Sequence, residues 1–272
     1  MKISSEIWDS GAPASVPFYK FSPGGNDTLF VIAGGRDVAS LCADALARLG
    51  AEQAAAADPR AKTMLMGGGE FCVNASRAFG ALLDYLGEQP DEKRGRLKRY
   101  RAAVSGLNRP VELSVAGAAP RWEAAATFEP GIAASESREG TIVHLSGISH
   151  LILIKEAPAL SGAEKIAVGL GRVLELDRRP AWGVVWSREK DGIFEILPYV
   201  AVPASGTAMF ESSCGSASVA LALALGRDFI RVRQPSGDLL TVKINPDNGL
   251  ASVSGAVELV AEGRVYLQRN DQ

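Results

Sequence analysis

Two cysteines carry the first chemical signal in this chain. Cys72 lies in Gly67–Phe79 (GGGEFCVNASRAF) and Cys214 in Phe210–Leu221 (FESSCGSASVAL). Aligned on the cysteines, the stretches read C-V-N-A-S and C-G-S-A-S, 142 positions apart in 272 residues. Each cysteine stands just before a run that starts a helix. A helix start lowers a thiol's pKa from its free value of about 8.5 and presents unpaired N–H groups. Here those groups belong to Val73, Asn74 and Ala75 in one stretch and to Gly215, Ser216 and Ala217 in the other. Such donors suit a carboxylate, and the charge that builds on it as the adjacent carbon loses its proton. Taking that proton from one face and returning one to the other needs two acid–base groups, and a thiolate facing a thiol meets the need. Cys42 lacks this context: it falls on the apolar face of a helix and reads as a small buried hydrophobe.

Around these stretches, Pro17–Ala33 reads as strand, Pro-Gly-Gly-Asn-Asp turn and strand. Asp37–Ala56 reads as a helix whose first part ends at Gly50. Thr63–Met66 is a strand leading to Cys72, and Asn74–Leu86 has helical spacing closed by Gly87. Gln89–Arg101 is a charge run and reads as an exposed loop. Arg101–Phe128 holds two or three strands. Glu129–Gly140, polar with Pro and Gly near the midpoint, is the linker candidate.

The second half repeats the order. Thr141–Ile154 is strand-like on both sides of Gly147, and Ser161–Leu174 is helical. Trp182–Ser187, Ile193–Tyr199 and Val200–Ala204 are strands, with a turn at Pro198. Ser216–Leu225 forms the helix after Cys214 and ends at Gly226. Strands follow at Phe229–Gln234, Leu239–Ile244, Leu250–Leu259 and Val265–Gln268. The duplication argues α+β with two pseudo-symmetric lobes, each a sheet around a central helix, over a doubly wound fold. The lobes would be 1–135 with the last strand, 263–272, and 136–262.

Composition narrows the function classes. With 47% hydrophobic and 22% charged residues and a net charge of −2, the chain shows no basic field for nucleic acid. Three cysteines at wide spacing are not a disulfide framework, and a reducing cytoplasm is the expected setting. No secretory h-region opens the chain, and its longest apolar run, Val219–Leu225, is too short to cross a membrane.

These motifs resemble the diaminopimelate epimerase superfamily of cofactor-independent racemases and epimerases. Phe18–Asp27 (FYKFSPGGND) is similar to its F-x-K-x-x-G-x-G-N-D opening. Glu70–Ala75 is similar to E-x-C-G-N-G, Gly147–His150 stands where G-N-P-H is expected, and Cys214–Ala217 is similar to C-G-S-G. Gly255–Leu267 resembles the closing strand pair. The resemblance implies a two-base thiol mechanism without pyridoxal phosphate or metal, acting on a free amino acid, with a homodimer plausible. It implies a substrate-binding role for Asn26, on the substrate amine, and an active-site role for His150 near Cys72. Glu70 and Glu211 are the carboxylates placed to tune a thiol. His144 matches no motif and reads as structural.

The departures bear on substrate. The resemblance places a Glu-Arg pair before the second cysteine; here Glu211 stands without the arginine that would hold a distal carboxylate. Ile148 replaces an asparagine, and Val73 replaces a glycine. The pattern is most similar to histidine racemases that supply D-histidine for opine-type metallophore synthesis, with Glu211 a candidate to face the imidazole. The alternatives are a diaminopimelate epimerase with an altered distal pocket, a proline-type epimerase, and a non-catalytic binding protein on this fold.

Overall fold

The structure is a computed structural model and describes residues 15–32, 37–131 and 133–266. It is a mixed α+β protein. The first stretch runs β1 (Ser15–Ser22), β2 (Thr28–Ile32), α1 (Val38–Leu49), β3 (Gln53–Asp58), β4 (Thr63–Met66) and α2 (Val73–Tyr85). It continues through β5 (Glu92–Arg94), β6 (Leu97–Val104), β7 (Val111–Ala118) and β8 (Arg121–Phe128). Next come β9 (Ala133–Glu136), β10 (Thr141–Leu145), β11 (Ile148–Ile154), α3 (Leu160–Val173), β12 (Trp182–Lys190) and β13 (Ile193–Val202). The chain closes with β14 (Thr207–Phe210), α4 (Gly215–Ala224), β15 (Phe229–Arg233), β16 (Leu239–Ile244) and β17 (Ala251–Tyr266).

Strand pairing forms a closed ring around α2. The ring runs β1, β2, β3, β4, β6, β7, β8, β17 and back to β1. Every residue of α2 from Val73 to Leu83 is buried, as a helix inside a closed sheet must be. A second, curled set runs β10, β11, β12, β13, β15, β16 and β17, with β9 beside β10. It packs around α4, whose residues Gly215–Ala222 are all buried. Strand β17 is shared, pairing with β16, β8 and β1 along its length.

One hydrophobic core holds both central helices, with Phe79, Leu82 and Trp122 around α2 and Val219 and Leu221 in α4. Each such buried aliphatic or aromatic side chain contributes about 1.5–3 kcal/mol. Both helices also end alike. Gly87 and Gly226 take positive φ, and the next residue's N–H reaches back to Leu83 and Ala222 respectively. Only glycine adopts that left-handed cap without strain.

Several expectations need correction. The helix expected over 37–56 stops at Leu49, and the buried alanines 54–57 form β3 between β2 and β4. Sheet pairing overrides alanine's helix propensity there. The charge run 89–101 is not a loop but carries the hairpin β5–β6, whose cross-strand pairs include Glu92 with Arg99. The linker candidate 129–140 contains β9, turned back onto β10 by Ser137 and Gly140. Pro198 does not break the sheet: it sits inside β13, opposite Val185. It is tolerated because β14 and β15 flank β13 only on either side of that position. Strand β14 is additional to the sequence reading. The last two expected strands are one, β17, with a bulge opposite Lys20 and Phe21; positions 267–272 lie outside the described residues. Among the described residues, no helix is long and apolar enough to cross a membrane.

Candidate active site

The two cysteines cap the two central helices with the same local geometry. Cys72 and Cys214 are extended, at φ −120°, ψ 117° and φ −134°, ψ 105°. Each sulfur accepts the N–H three residues on: Ala75 at 3.4 Å and Ala217 at 3.5 Å. The serine that ends each five-residue motif, Ser76 or Ser218, donates its hydroxyl to its cysteine's carbonyl at 2.8 Å. The repeated Cys-x-x-Ala-Ser spelling is thus a capping device.

The helix starts meet. A β-carbon on Gly215 would lie 2.7 Å from Val73 Cβ, so Gly215 is bare because Val73 fills the space between them. Asn74 crosses the junction, donating from Nδ2 to the carbonyl of Ser213 at 2.9 Å and accepting Arg77 Nη1 at 3.1 Å. Arg77 is buried inside the ring and held by the carbonyls of Ala124 and Ala256. Burial lowers its pKa to about 10, so it keeps its charge at neutral pH.

One pocket is lined by both cysteines and by Asn26, Glu52, Gln53, Glu70, Val73, Asn74, Glu211, Gly215 and Ser216, with Ile148, Val200, Val202 and Met209 among its apolar wall. No lysine or arginine lines it among the described residues. Three carboxyl groups therefore share it. Burial raises the pKa of Glu52 and Glu70, and raises Glu211 to about 7. Glu70 keeps one buried carboxyl oxygen without a partner.

The thiols answer to the same burial. Desolvation pushes Cys72 up to about 12 against the opposing Ala75 N–H, and Glu211 and Glu70 add to the rise. Cys214 is raised well above the ordinary thiol value, first by burial and then by Glu211 beside it. The expectation that helix starts lower these thiols is overturned: desolvation outweighs a capping N–H.

The two sulfurs have different partners. Cys72 Sγ lies 3.1 Å from Gln53 Oε1. Gln53 Nε2 donates to Asn26 Oδ1 at 2.5 Å and Thr28 Oγ1 at 2.8 Å, and Asn26 Nδ2 donates to Glu52 Oε2 at 2.9 Å. Cys214 shares the pocket with the Glu211 carboxyl, which raises the thiol's pKa. Its sulfur also lies 3.4 Å from Ser216 Oγ, which is 2.9 Å from His150 Nε2. Glu211 is set in place by its own N–H on the carbonyl of Pro198 at 3.1 Å. Cys214 N–H bonds Gln234 Oε1 at 2.8 Å.

Of the residues given a site role from sequence, all but His150, Ala75 and Ala217 line this pocket, and the Ala75 and Ala217 N–H groups are taken by the Cys72 and Cys214 sulfurs. His150 is fully buried and reaches Cys214 through Ser216, not Cys72 as expected. Burial lowers its pKa to about 3, so it is neutral. Glu211 lines the pocket and raises the Cys214 pKa, the tuning expected of it, and Asn26 is engaged on both sides by Glu52 and Gln53. Cys42 is buried with α1, and His144 bonds Ser149 Oγ at 2.8 Å, both as expected. Sequence reasoning missed Glu52 and Gln53, hidden in a stretch that reads as helix, and Gln234, Ser213 and Arg77, which no motif marks.

Known proteins resemble the chain in sequence and in fold. Residues 15–266 match the family model described as histidine racemase CntK N-terminal domain. Two curated histidine racemases, from two strains of Fusobacterium nucleatum subsp. nucleatum, are similar to the chain. One is 30% identical over 213 residues, covering 74% of this chain and 77% of its own length. The other is 32% identical over 217 residues, covering 76% and 79%. Among solved structures, a probable proline racemase from Agrobacterium radiobacter superposes with a TM-score of 0.65 at 11% identity, covering 94% of each chain. A hydroxyproline epimerase from Agrobacterium vitis superposes with a TM-score of 0.61 at 14% identity, again covering 94% of each.

Proposed function

The chain belongs to the histidine racemase family, and from that premise we propose that it interconverts L- and D-histidine by a two-base thiol mechanism that needs no cofactor. It is an amino-acid racemase, hence an isomerase. In the proposed step one sulfur takes the α-proton, the electron pair spreads into the substrate carboxylate, and the other sulfur returns a proton to the opposite face. With the Ala75 and Ala217 N–H groups taken by the sulfurs, the N–H groups of Val73 and Asn74 in α2 and of Gly215 and Ser216 in α4 hold that carboxylate.

The observation that carries this reading is the pair of helix-capping cysteines lining one pocket. The acidic lining supports histidine. A substrate with a second carboxylate would meet Glu52, Glu70 and Glu211 without a cation to pair with. An ammonium and an imidazole meet acceptors instead. We assign Glu70, whose buried oxygen is unpaired, to the imidazole, and Glu52 to the ammonium. Two lobes, one around each central helix and its thiol, are the arrangement proposed to embrace the substrate. D-Histidine for an opine-type metallophore and a reducing cytoplasm, where free thiols persist, complete the proposal.

Incubation with L-histidine in D₂O tests it. Deuterium should enter the α-position as D-histidine accumulates, and the rate should survive chelators and hydroxylamine. No α-exchange with any amino acid in a panel would end the two-thiol reading.

A further inference from the structure

Gln53 is outside every motif, yet its amide touches Cys72. Its orientation is dictated by its neighbours. Glu52 Oε2 accepts two N–H groups, from Asn26 Nδ2 at 2.9 Å and from the backbone of Ser212 at 3.2 Å. A carboxylate only accepts, so the Asn26 nitrogen faces Glu52 and its oxygen faces Gln53. Gln53 must then offer its nitrogen to Asn26 Oδ1, and the same nitrogen reaches Thr28 Oγ1. That leaves Gln53 Oε1, an acceptor without a proton, 3.1 Å from Cys72 Sγ. Only an S–H satisfies that contact. A thiolate there would set lone pair against lone pair.

We infer that Gln53 is a positioning residue that holds Cys72 as the thiol, so that the base of the resting enzyme is Cys214. The difference lies in what each partner can accept. An amide oxygen cannot take a proton from Cys72 at neutral pH. The Glu211 carboxylate, which lines the same pocket as Cys214, can take one from it. The Cys214 S–H bond breaks and its proton passes to Glu211, leaving a thiolate and a neutral acid in one pocket. That thiolate takes the α-proton, forming S–H as the substrate C–H bond breaks. The Cys72 S–H then breaks, and its proton forms the new C–H bond on the opposite face. Cys72 ends as the thiolate and Glu211 as the acid, with the net charge unchanged. The Glu211 proton returns to Cys72 through water once product leaves. Glu52 and Asn26 set the polarity of the whole chain, which ties Ser212, two residues before one sulfur, to the other sulfur.

The kinetic arm of the test rests on the racemase reading; the spectroscopic arm does not. Infrared spectra of the substrate-free protein at neutral pH should show a hydrogen-bonded S–H stretch that is lost in Cys72→Ser. It should move to higher frequency in Gln53→Met, whose thioether is a poorer acceptor. Absence of a Cys72 S–H band, or no movement on substitution, overturns the assignment. In D₂O, Cys72→Ala should still exchange the α-hydrogen of one histidine enantiomer without racemising it, at least tenfold faster than Cys214→Ala exchanges either. Equal or reversed rates overturn it too. Gln53→Glu in the Cys214→Ala background supplies Cys72 with a carboxylate and should raise exchange of the opposite enantiomer tenfold; no rise counts against the inference. A wild-type protein that exchanges no amino acid yet shows the S–H band would sink the racemase reading and leave the assignment of Gln53 standing.

Discussion

The two sulfur-bearing helix starts are built on one template and equipped differently. Both cysteines are extended N-caps, both sulfurs accept an N–H three residues on, and both helices end at a left-handed glycine. Around Cys72 the strands close into a ring, and its sulfur meets an amide. Around Cys214 the strands curl with β9 at the edge, and its sulfur meets a hydroxyl backed by a buried imidazole, with the Glu211 carboxyl in the same pocket. Duplication conserves what orders a helix start, because that is local. The partners that decide which sulfur gives or takes a proton arrive from elsewhere in the chain and need not repeat.

Replacing either cysteine is the severest test of their equivalence. Cys72→Ser and Cys214→Ser should each lower kcat for racemisation by about 10²–10⁴, the usual contribution of a positioned acid or base. Full activity in either variant would show that one sulfur suffices. Glu211→Gln comes next, with a fall of about 10² in kcat. Burial raises the Glu211 pKa to about 7, so the carboxylate fraction grows as pH rises through neutrality. The wild-type rate should climb across that range and the Gln variant should lose the climb. A Gln variant with the wild-type profile would assign the limb to another group.

A smaller effect probes where the template was altered. Gly215→Ala would place a methyl 2.7 Å from Val73 Cβ and Cγ1, an overpacking that costs about 1–3 kcal/mol. If Val73 and Gly215 are a matched pair, Val73→Gly combined with Gly215→Ala should be less destabilised than the two single changes added together. Urea unfolding of the four proteins measures that coupling. Strict additivity would mean the two helix starts accommodate each other elsewhere.

How much of this was legible in sequence follows the same division. The capping cysteines and their helices could be read because a cap, a run of apolar residues at helical spacing and a closing glycine are short-range signals, and here they occur twice. Glu211 could be read as a carboxylate that tunes a thiol and Asn26 as a pocket residue by resemblance, but nothing local says that Cys214 is the thiol concerned or that Asn26 is held between Glu52 and Gln53. Glu52 and Gln53 were invisible. Four alanines after them favour a helix on propensity, and only pairing with β2 on one side and β4 on the other makes them a strand. The His150 link to Cys214 depends on Ser216 being the third residue of the other motif, 66 positions away.

The smallest expected effects compare the two serines that look most alike. Ser76 and Ser218 each donate to their cysteine's carbonyl at 2.8 Å, and each carbonyl also accepts that serine's own N–H, at 3.0 and 3.2 Å. Removing either hydroxyl leaves the carbonyl satisfied, so Ser76→Ala should cost about 0.5–1.5 kcal/mol, the net worth of an ordinary hydrogen bond. Ser218 does one thing more. Its Oγ accepts Gln234 Nε2 at 3.1 Å, and the other end of that amide accepts the N–H of Cys214 at 2.8 Å. Ser218→Ala leaves Gln234 Nε2 with the Val232 carbonyl alone, at 3.3 Å, and loosens the side chain that fixes the backbone of Cys214. It should therefore cost more stability than Ser76→Ala and lower kcat as well, while Ser76→Ala leaves kcat close to wild type. Chemical unfolding and racemisation rates on the two variants measure the difference. Equal losses in both would mean that Gln234 holds Cys214 without help, and that the two helix starts diverge only at the sulfurs.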